Sequence, residues 1–197
     1  MGLWKYLFGK KPSKKLEKSP YLPKSERPLD ISFAENFTLN GGYFLYNDSI
    51  DLVNSNFKEI CFENNWNPKQ VASLNQNLSD LFQTYYVDKS SGKLNHFEAL
   101  LIKCEYLICN TGKFLLSNKQ INHFKLNDLP KTIIISAKMN QLTRDISQGM
   151  TLLKNKYKNS IPTNITTLKT VLKSKKEKKN SSDNTNSKII YLLLEDF

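Results

Sequence analysis

A chain of 197 residues with 39% hydrophobic content and a formal net charge of +11 has the length and apolar share of one domain with charged extensions. No run approaches the roughly 20 apolar residues of a membrane span, and three cysteines set in apolar runs fit a reducing cytoplasm rather than a disulfide framework. The charge is concentrated: residues 1–30 and 169–188 each carry +5, which leaves about +1 for the rest and argues against a basic nucleic-acid-reading face.

Residues 1–28 read as a basic, disordered tail. Leu3, Trp4, Leu7 and Phe8 beside Lys5, Lys10 and Lys11 form at most a two-turn amphipathic contact for an anionic membrane surface, and Pro20, Pro23 and Pro28 then break any helix. Tyr6 fails the myristoylation pattern, and the short apolar start is not expected to act as a secretory signal. The folded domain is expected over 30–197. Phe33, Ala34 and Phe37 share one helical face, and Asn40-Gly41-Gly42 offers the stop. Tyr43 to Tyr46 reads as a strand. Asn47 or Asp48 is the expected cap of a helix with the stripe Ile50, Val53, Phe57, Ile60 and Cys61. Val71 and Leu74 suggest a strand, Leu78, Leu81, Phe82 and Tyr85 a helix, and 89–92 a loop.

From Phe97 to Leu116 the chain is strongly apolar, with a strand expected over Tyr106 to Cys109. Thr132-Ile133-Ile134-Ile135-Ser136 is apolar without alternation, the pattern of a strand covered on both faces in a parallel sheet. Asn140 is the expected cap of a helix carrying Leu142, Ile146, Met150, Leu153 and Tyr157. A mobile Lys/Ser/Asn-rich loop at 173–188 precedes a second buried strand, Ile189 to Leu194. Recurring strand, helix and strand predict an α/β fold: an open, mostly parallel sheet with helices on both faces and right-handed crossovers. Sites in such sheets gather at the carboxyl ends of strands.

Thr111-Gly112-Lys113 is not a phosphate-binding loop. Leu107 stands where the first glycine belongs, and Phe114 where the metal-binding Ser or Thr belongs. His96 and His123 have no partnering acids or thiols, and Cys104-x4-Cys109 lacks the second pair that a zinc or iron–sulfur site needs. No metal site and no cofactor are therefore expected. Cys109 reads as a small buried hydrophobe rather than a nucleophile. Two clusters of hydrogen-bonding residues remain as candidate ligand contacts: Asn110, Thr111 and Gly112, and Pro162, Thr163, Asn164, Thr166 and Thr167. Such groups cradle a phosphate or carboxylate, and equally well satisfy turns and cap helices.

In order, LIKCEYLICNTGKFLLS, LPKTIIIS, a helix, IPTNITTLK and IIYLLLEDF resemble the LUD domain of lactate-utilisation proteins, in its small single-domain subunit type. The resemblance implies a Rossmann-like sheet of the kind shared by ribose-5-phosphate isomerases, CoA transferases and formyltetrahydrofolate cyclo-ligases. It also implies a place in bacterial lactate oxidation to pyruvate, with iron–sulfur oxidoreductase subunits as partners. The family's turn typically reads Glu-Thr-Gly, and its later segment Gly-Pro-Ser-x-Thr-Ala-Asp-Ile-Glu. Here Asn110 replaces the turn's acid, while Ile161, Ile165, Thr167 and Lys169 replace the Gly, Thr, Asp and Glu. A pocket without those acids is neutral and poorly suited to general acid–base chemistry. The leading expectation is an accessory or ligand-binding cytoplasmic protein of lactate or carboxylate utilisation. The alternatives are a ligase or transferase of the cyclo-ligase-like fold, and a membrane- or RNA-binding scaffold working through the basic segments.

Overall fold

The structure, a computed structural model, describes residues 27–88, 93–170 and 187–197. The basic segment before residue 27, the loop at 89–92 and most of that at 173–188 lie outside the described residues.

Helix α1 (Leu29–Leu39) buries Phe33 and Phe37 and ends at Asn40. The Gly41 and Gly42 N–H groups then donate back to the Thr38 and Phe37 carbonyls at 2.9 and 3.0 Å. Glycine is required at 42, because a Cβ there would lie 2.2 Å from the Phe37 ring. Strand β1 (Tyr43–Asn47) leads into α2 (Ile50–Glu63), which buries Val53, Phe57, Ile60 and Cys61. Its cap is Ser49, whose oxygen accepts from Leu52 N–H, and not Asn47 or Asp48. Asn47 is committed elsewhere: its amide donates to the Leu45 and Leu194 carbonyls, and its oxygen accepts from Asn56.

Strand β2 (Val71–Ser73) precedes α3 (Gln76–Phe82), capped by Asn75. Tyr85, expected on this helix, lies instead in β3 (Tyr85–Tyr86). Gln83 takes a left-handed conformation at φ 54° and stops the helix before it. There follow β4 (Ala99–Lys103), β5 (Tyr106–Ile108), β6 (Lys113–Leu116), the single turn α4 (Asn118–Ile121) and β7 (Thr132–Lys138). Next come β8 (Leu142–Thr143), α5 (Ile146–Tyr157), β9 (Thr166–Thr170) and β10 (Ser187–Glu195). Asn140 does not cap α5. It sits in a one-turn 3-10 helix, Leu142 is drawn into pairing with Leu107, and Asp145 caps the helix by accepting from Gln148 N–H. Strand β10 begins earlier than expected: Ser187 and Lys188, assigned to the loop, pair with Lys169 and Thr170. Lys188 is buried, and its ammonium donates to the Leu129 carbonyl at 2.8 Å.

Strands β3, β2, β4, β7, β10 and β1 lie side by side in that order, all parallel. At its start β10 also pairs with β9, which leads into a smaller mixed sheet ordered β9, β6, β5, β8. There β9/β6 and β6/β5 are antiparallel, and β5/β8 is parallel.

The layers follow from alternation along the strands. Ile134, Tyr191, Leu193 and Leu101 face α2 and α3 through Val53, Phe57, Leu78 and Phe82. Ile133, Ile135, Leu192 and Leu194 face the other way, onto Phe33 and Phe37 of α1 and onto Leu107, Phe114, Leu116 and Leu168 of the small sheet. Ile108 and Leu115, on the small sheet's far side, pack against Leu153 of α5. The second face of the main sheet, expected to carry helices, is thus covered by α1, the short α4 and a second sheet. Leu192 has no exposed surface and lies at the centre of the larger core. Leu192→Ala is expected to lower unfolding free energy by about 2–5 kcal/mol, read as a reduced urea midpoint at unchanged slope.

Candidate functional site

Asn110-Thr111-Gly112 forms the link between antiparallel β5 and β6. Gly112 holds φ 60°, and a Cβ there would lie 2.5 Å from the Phe37 nitrogen and 2.7 Å from the Asn36 carbonyl carbon. The backbone of α1 therefore rests on the glycine. Asn36 and Asn40 complete the joint from the same helix end. Their amides donate to the Cys109 and Thr111 carbonyls at 2.7 and 2.9 Å. On the opposite side, Asn110 N–H donates to the Arg144 carbonyl at 3.0 Å. Thr170 Oγ1 donates to the Asn40 carbonyl at 2.5 Å, which ties the turn to the chain beside the start of β10.

The second cluster lies at the other end of β6. Pro162 is buried. Thr163 N–H donates to Asn118 Oδ1 at 3.1 Å, and Asn118 N–H donates to the Thr163 carbonyl at 3.0 Å. Asn164, at φ 52°, donates its amide to the Phe124 carbonyl at 3.3 Å. Thr166 and Thr167 pair with Leu116 and Leu115 within the small sheet. The two clusters thus flank a strand of four residues and stand roughly 10 Å or more apart. They do not converge on one cavity.

Beside the second cluster lies a polar centre that sequence reasoning passed over. Glu105, just before β5, has a fully buried side chain. Its Oε1 accepts from Ser117 Oγ and Gln120 Nε2 at 2.9 Å and from the Tyr157 hydroxyl at 3.0 Å. Its Oε2 accepts from Lys156 Nζ at 2.9 Å and again from Tyr157 at 3.3 Å. The visible sign was one acid inside the apolar run LIKCEYLIC. Burial opposes ionisation of Glu105, but the hydrogen bonds from Lys156, Gln120 and Ser117 outweigh it and hold the carboxyl below its ordinary range. Lys156 is likewise disfavoured by burial, yet the hydrogen bond and charge of Glu105 raise its pKa. So many donors make Glu105 a poor proton acceptor. It clamps β5, α4 and the last turn of α5 together.

At the carboxyl ends of the parallel strands, Ser136 Oγ donates to Glu195 Oε1 at 2.7 Å and the Tyr46 hydroxyl donates to the Asp196 carboxylate. Lys138 Nζ stands 5.8 Å from the centre of the Phe197 ring. This rim is rich in hydrogen-bonding groups and contains none of the candidate residues named from sequence. The three thiols are buried and free, and burial pushes Cys61 and Cys109 up to about 11 and Cys104 higher still. Thiols held in that state are poor nucleophiles. The rings of His96 and His123 lie tilted against those of their neighbours Phe97 and Phe124. Among the described residues, no three His, Cys, Asp or Glu side chains come together as a metal would need. No described helix is long and apolar enough to cross a membrane.

The LUD domain family matches this sequence over residues 34–193, most of the chain and nearly all of the fold described above. The chain belongs to the LUD domain family. No curated protein matches the sequence. A crystal structure of a DUF162 family protein from Deinococcus radiodurans is similar with a TM-score of 0.61 and 13% identity, covering 89% of this chain and all of the other. At that identity the likeness concerns the fold. In this LUD domain the Asn-Thr-Gly turn is a packed joint, and the most highly connected buried acid among the described residues is Glu105.

Two outcomes follow. Gly112→Ala brings a Cβ onto the α1 backbone at positive φ and is expected to cost about 1–3 kcal/mol, measured by urea denaturation. Glu105, held below its ordinary pKa, stabilises the fold above the unfolded carboxylate value of about 4.3, and that contribution is lost as pH falls through the lower folded value. Glu105→Gln should therefore lower stability at neutral pH by about 1–3 kcal/mol and flatten the acid limb of a stability-versus-pH curve. An unchanged acid limb would show that the clamp carries no pH-linked stability.

Proposed function

We propose that this LUD-domain protein serves lactate or related carboxylate utilisation as a cytoplasmic accessory subunit, acting beside iron–sulfur oxidoreductase subunits that carry the redox chemistry. The observation that carries the reading is the state of the Asn110-Thr111-Gly112 turn. Its position corresponds to the family's Glu-Thr-Gly, yet Asn110 supplies no acid. The Cys109 and Thr111 carbonyls are taken up by Asn36 and Asn40, and the α1 backbone fills the space over Gly112. Groups committed in this way hold a helix in place and are not available to a substrate. The three buried thiols, with raised pKa values, support the same division of labour, since electrons and covalent intermediates would then be handled on a partner.

The reading is tested in the source cell. Deletion of the gene is expected to slow growth on lactate as sole carbon source while leaving growth on glucose intact. Affinity purification of the full chain should recover an iron–sulfur oxidoreductase. Complementation with an Asn110→Ala variant should restore lactate growth, because the turn's role lies in its backbone. Normal lactate growth in the deletion strain would sink the proposal.

A further inference from the structure

Helix α3 faces strand β3 across a cavity of about 480 Å³. From the helix and its end come Gln76, Asp80 and Gln83, which lie at steps of four and three and so share one face. Thr84 and Tyr86 enter from β3 and the residue before it, and Lys69 from the 3-10 turn before β2. Thr84 and Tyr86 are alternate residues and project to one side of the sheet. That side is the helix's: Tyr86 pairs in parallel with Ser73, and Val71, two residues before Ser73, packs in one core with Leu78 and Phe82 of α3.

The two charges of the cavity are bonded to neutral groups. Lys69 Nζ donates to the Thr84 carbonyl at 3.1 Å, and Asp80 Oδ1 accepts from Gln76 Nε2 at 2.7 Å. An ammonium carries three donors and a carboxylate two acceptor oxygens, so each keeps capacity for a ligand. Next to Lys69 the site is incomplete. Thr84 is 2% exposed, and its Oγ1 has no hydrogen-bond partner. A buried hydroxyl in that state costs stability until a partner completes it. An oxyanion held by Lys69 would lie beside Thr84, because that ammonium already touches this residue.

We propose that the cavity binds a free α-amino acid with an aromatic side chain. The carboxylate sits on Lys69 and the Thr84 hydroxyl, the ammonium on Asp80, and the side chain against the Tyr86 ring. A simple anion would meet Asp80 as a like charge, and a simple cation would meet Lys69 in the same way. The opposed pair therefore selects a molecule that carries both charges. This site stands apart from the lactate reading, since a hydroxy acid lacks the ammonium.

The test follows the side-chain amide signals of Gln76 and Gln83 by nuclear magnetic resonance while the full chain is titrated with L-phenylalanine. Both signals are expected to shift and to saturate. L-Phenyllactate, with a hydroxyl in place of the ammonium, and phenethylamine, without the carboxylate, should each bind weaker by about tenfold or more. Lys69→Met should bring phenylalanine down to the level of phenethylamine, and Asp80→Asn down to that of phenyllactate. Thr84→Val removes a hydroxyl without a partner in the protein, so it should weaken phenylalanine binding while leaving the melting temperature unchanged or raised. A hydroxyl with a structural role would lower that temperature instead. The two analogues need no protein variant, so they decide the matter whatever a substitution does to folding. The proposal is overturned by unsaturable or absent shifts at millimolar phenylalanine, by equal binding of phenylalanine and phenyllactate, or by full affinity in Lys69→Met.

Discussion

Strand β10 is the element on which both sheets depend. From Ile189 to Glu195 it pairs in parallel with β7, from Tyr191 to Glu195 with β1, and at Ser187 and Lys188 with β9. Having neighbours on both edges satisfies its backbone groups, and alternating side chains bury it on both faces, with Leu192 and Leu194 on one and Tyr191 and Leu193 on the other. A strand in that position has to be apolar throughout, which is why IIYLLL shows no alternation. The demand for backbone satisfaction also explains Lys188. Where β10 emerges under Leu129, the lysine stem packs and its ammonium finds a carbonyl, though burial lowers its pKa.

The small sheet is buried as well, and polar joints hold it at both ends of β6. At one end Asn36 and Asn40 of α1 bond to the carbonyls around the Asn110-Thr111-Gly112 turn. At the other, Glu105 gathers Ser117, Gln120, Lys156 and Tyr157. A buried carboxylate is tolerated only when its lone pairs are filled, and here four side chains fill them. The first joint ties the small sheet to α1, and the second binds β5 to α4 and the last turn of α5. They also account for the polar residues that stand out in an otherwise apolar stretch of sequence.

Much of the fold was legible because burial imposes a period on the residues. Val53, Phe57, Ile60 and Cys61 mark one helix face, and the stretch Ile133 to Ile135 marks a doubly covered strand. The caps were less legible. Asn47 and Asn140 are as suitable as Ser49 and Asp145 by residue type, and only cross-strand bonds show that Asn47 is already engaged. The candidate site was legible as two clusters but not as an arrangement. Asn110 and Thr163 gave no sign in sequence that a strand would hold them apart, and Glu105 looked like one stray acid because its partners come from residues 117 to 157.

From sequence alone came the fold class, the family resemblance and the near-neutral stretch between basic segments. These are local or compositional properties, set by residue type and period. The tertiary structure decided which polar groups meet: that the Asn-Thr-Gly turn is a helix joint and that Glu105 is a clamp. Each of those depends on contacts between residues tens of positions apart. Such contacts are set by long-range pairing around β10 and not by local residue type.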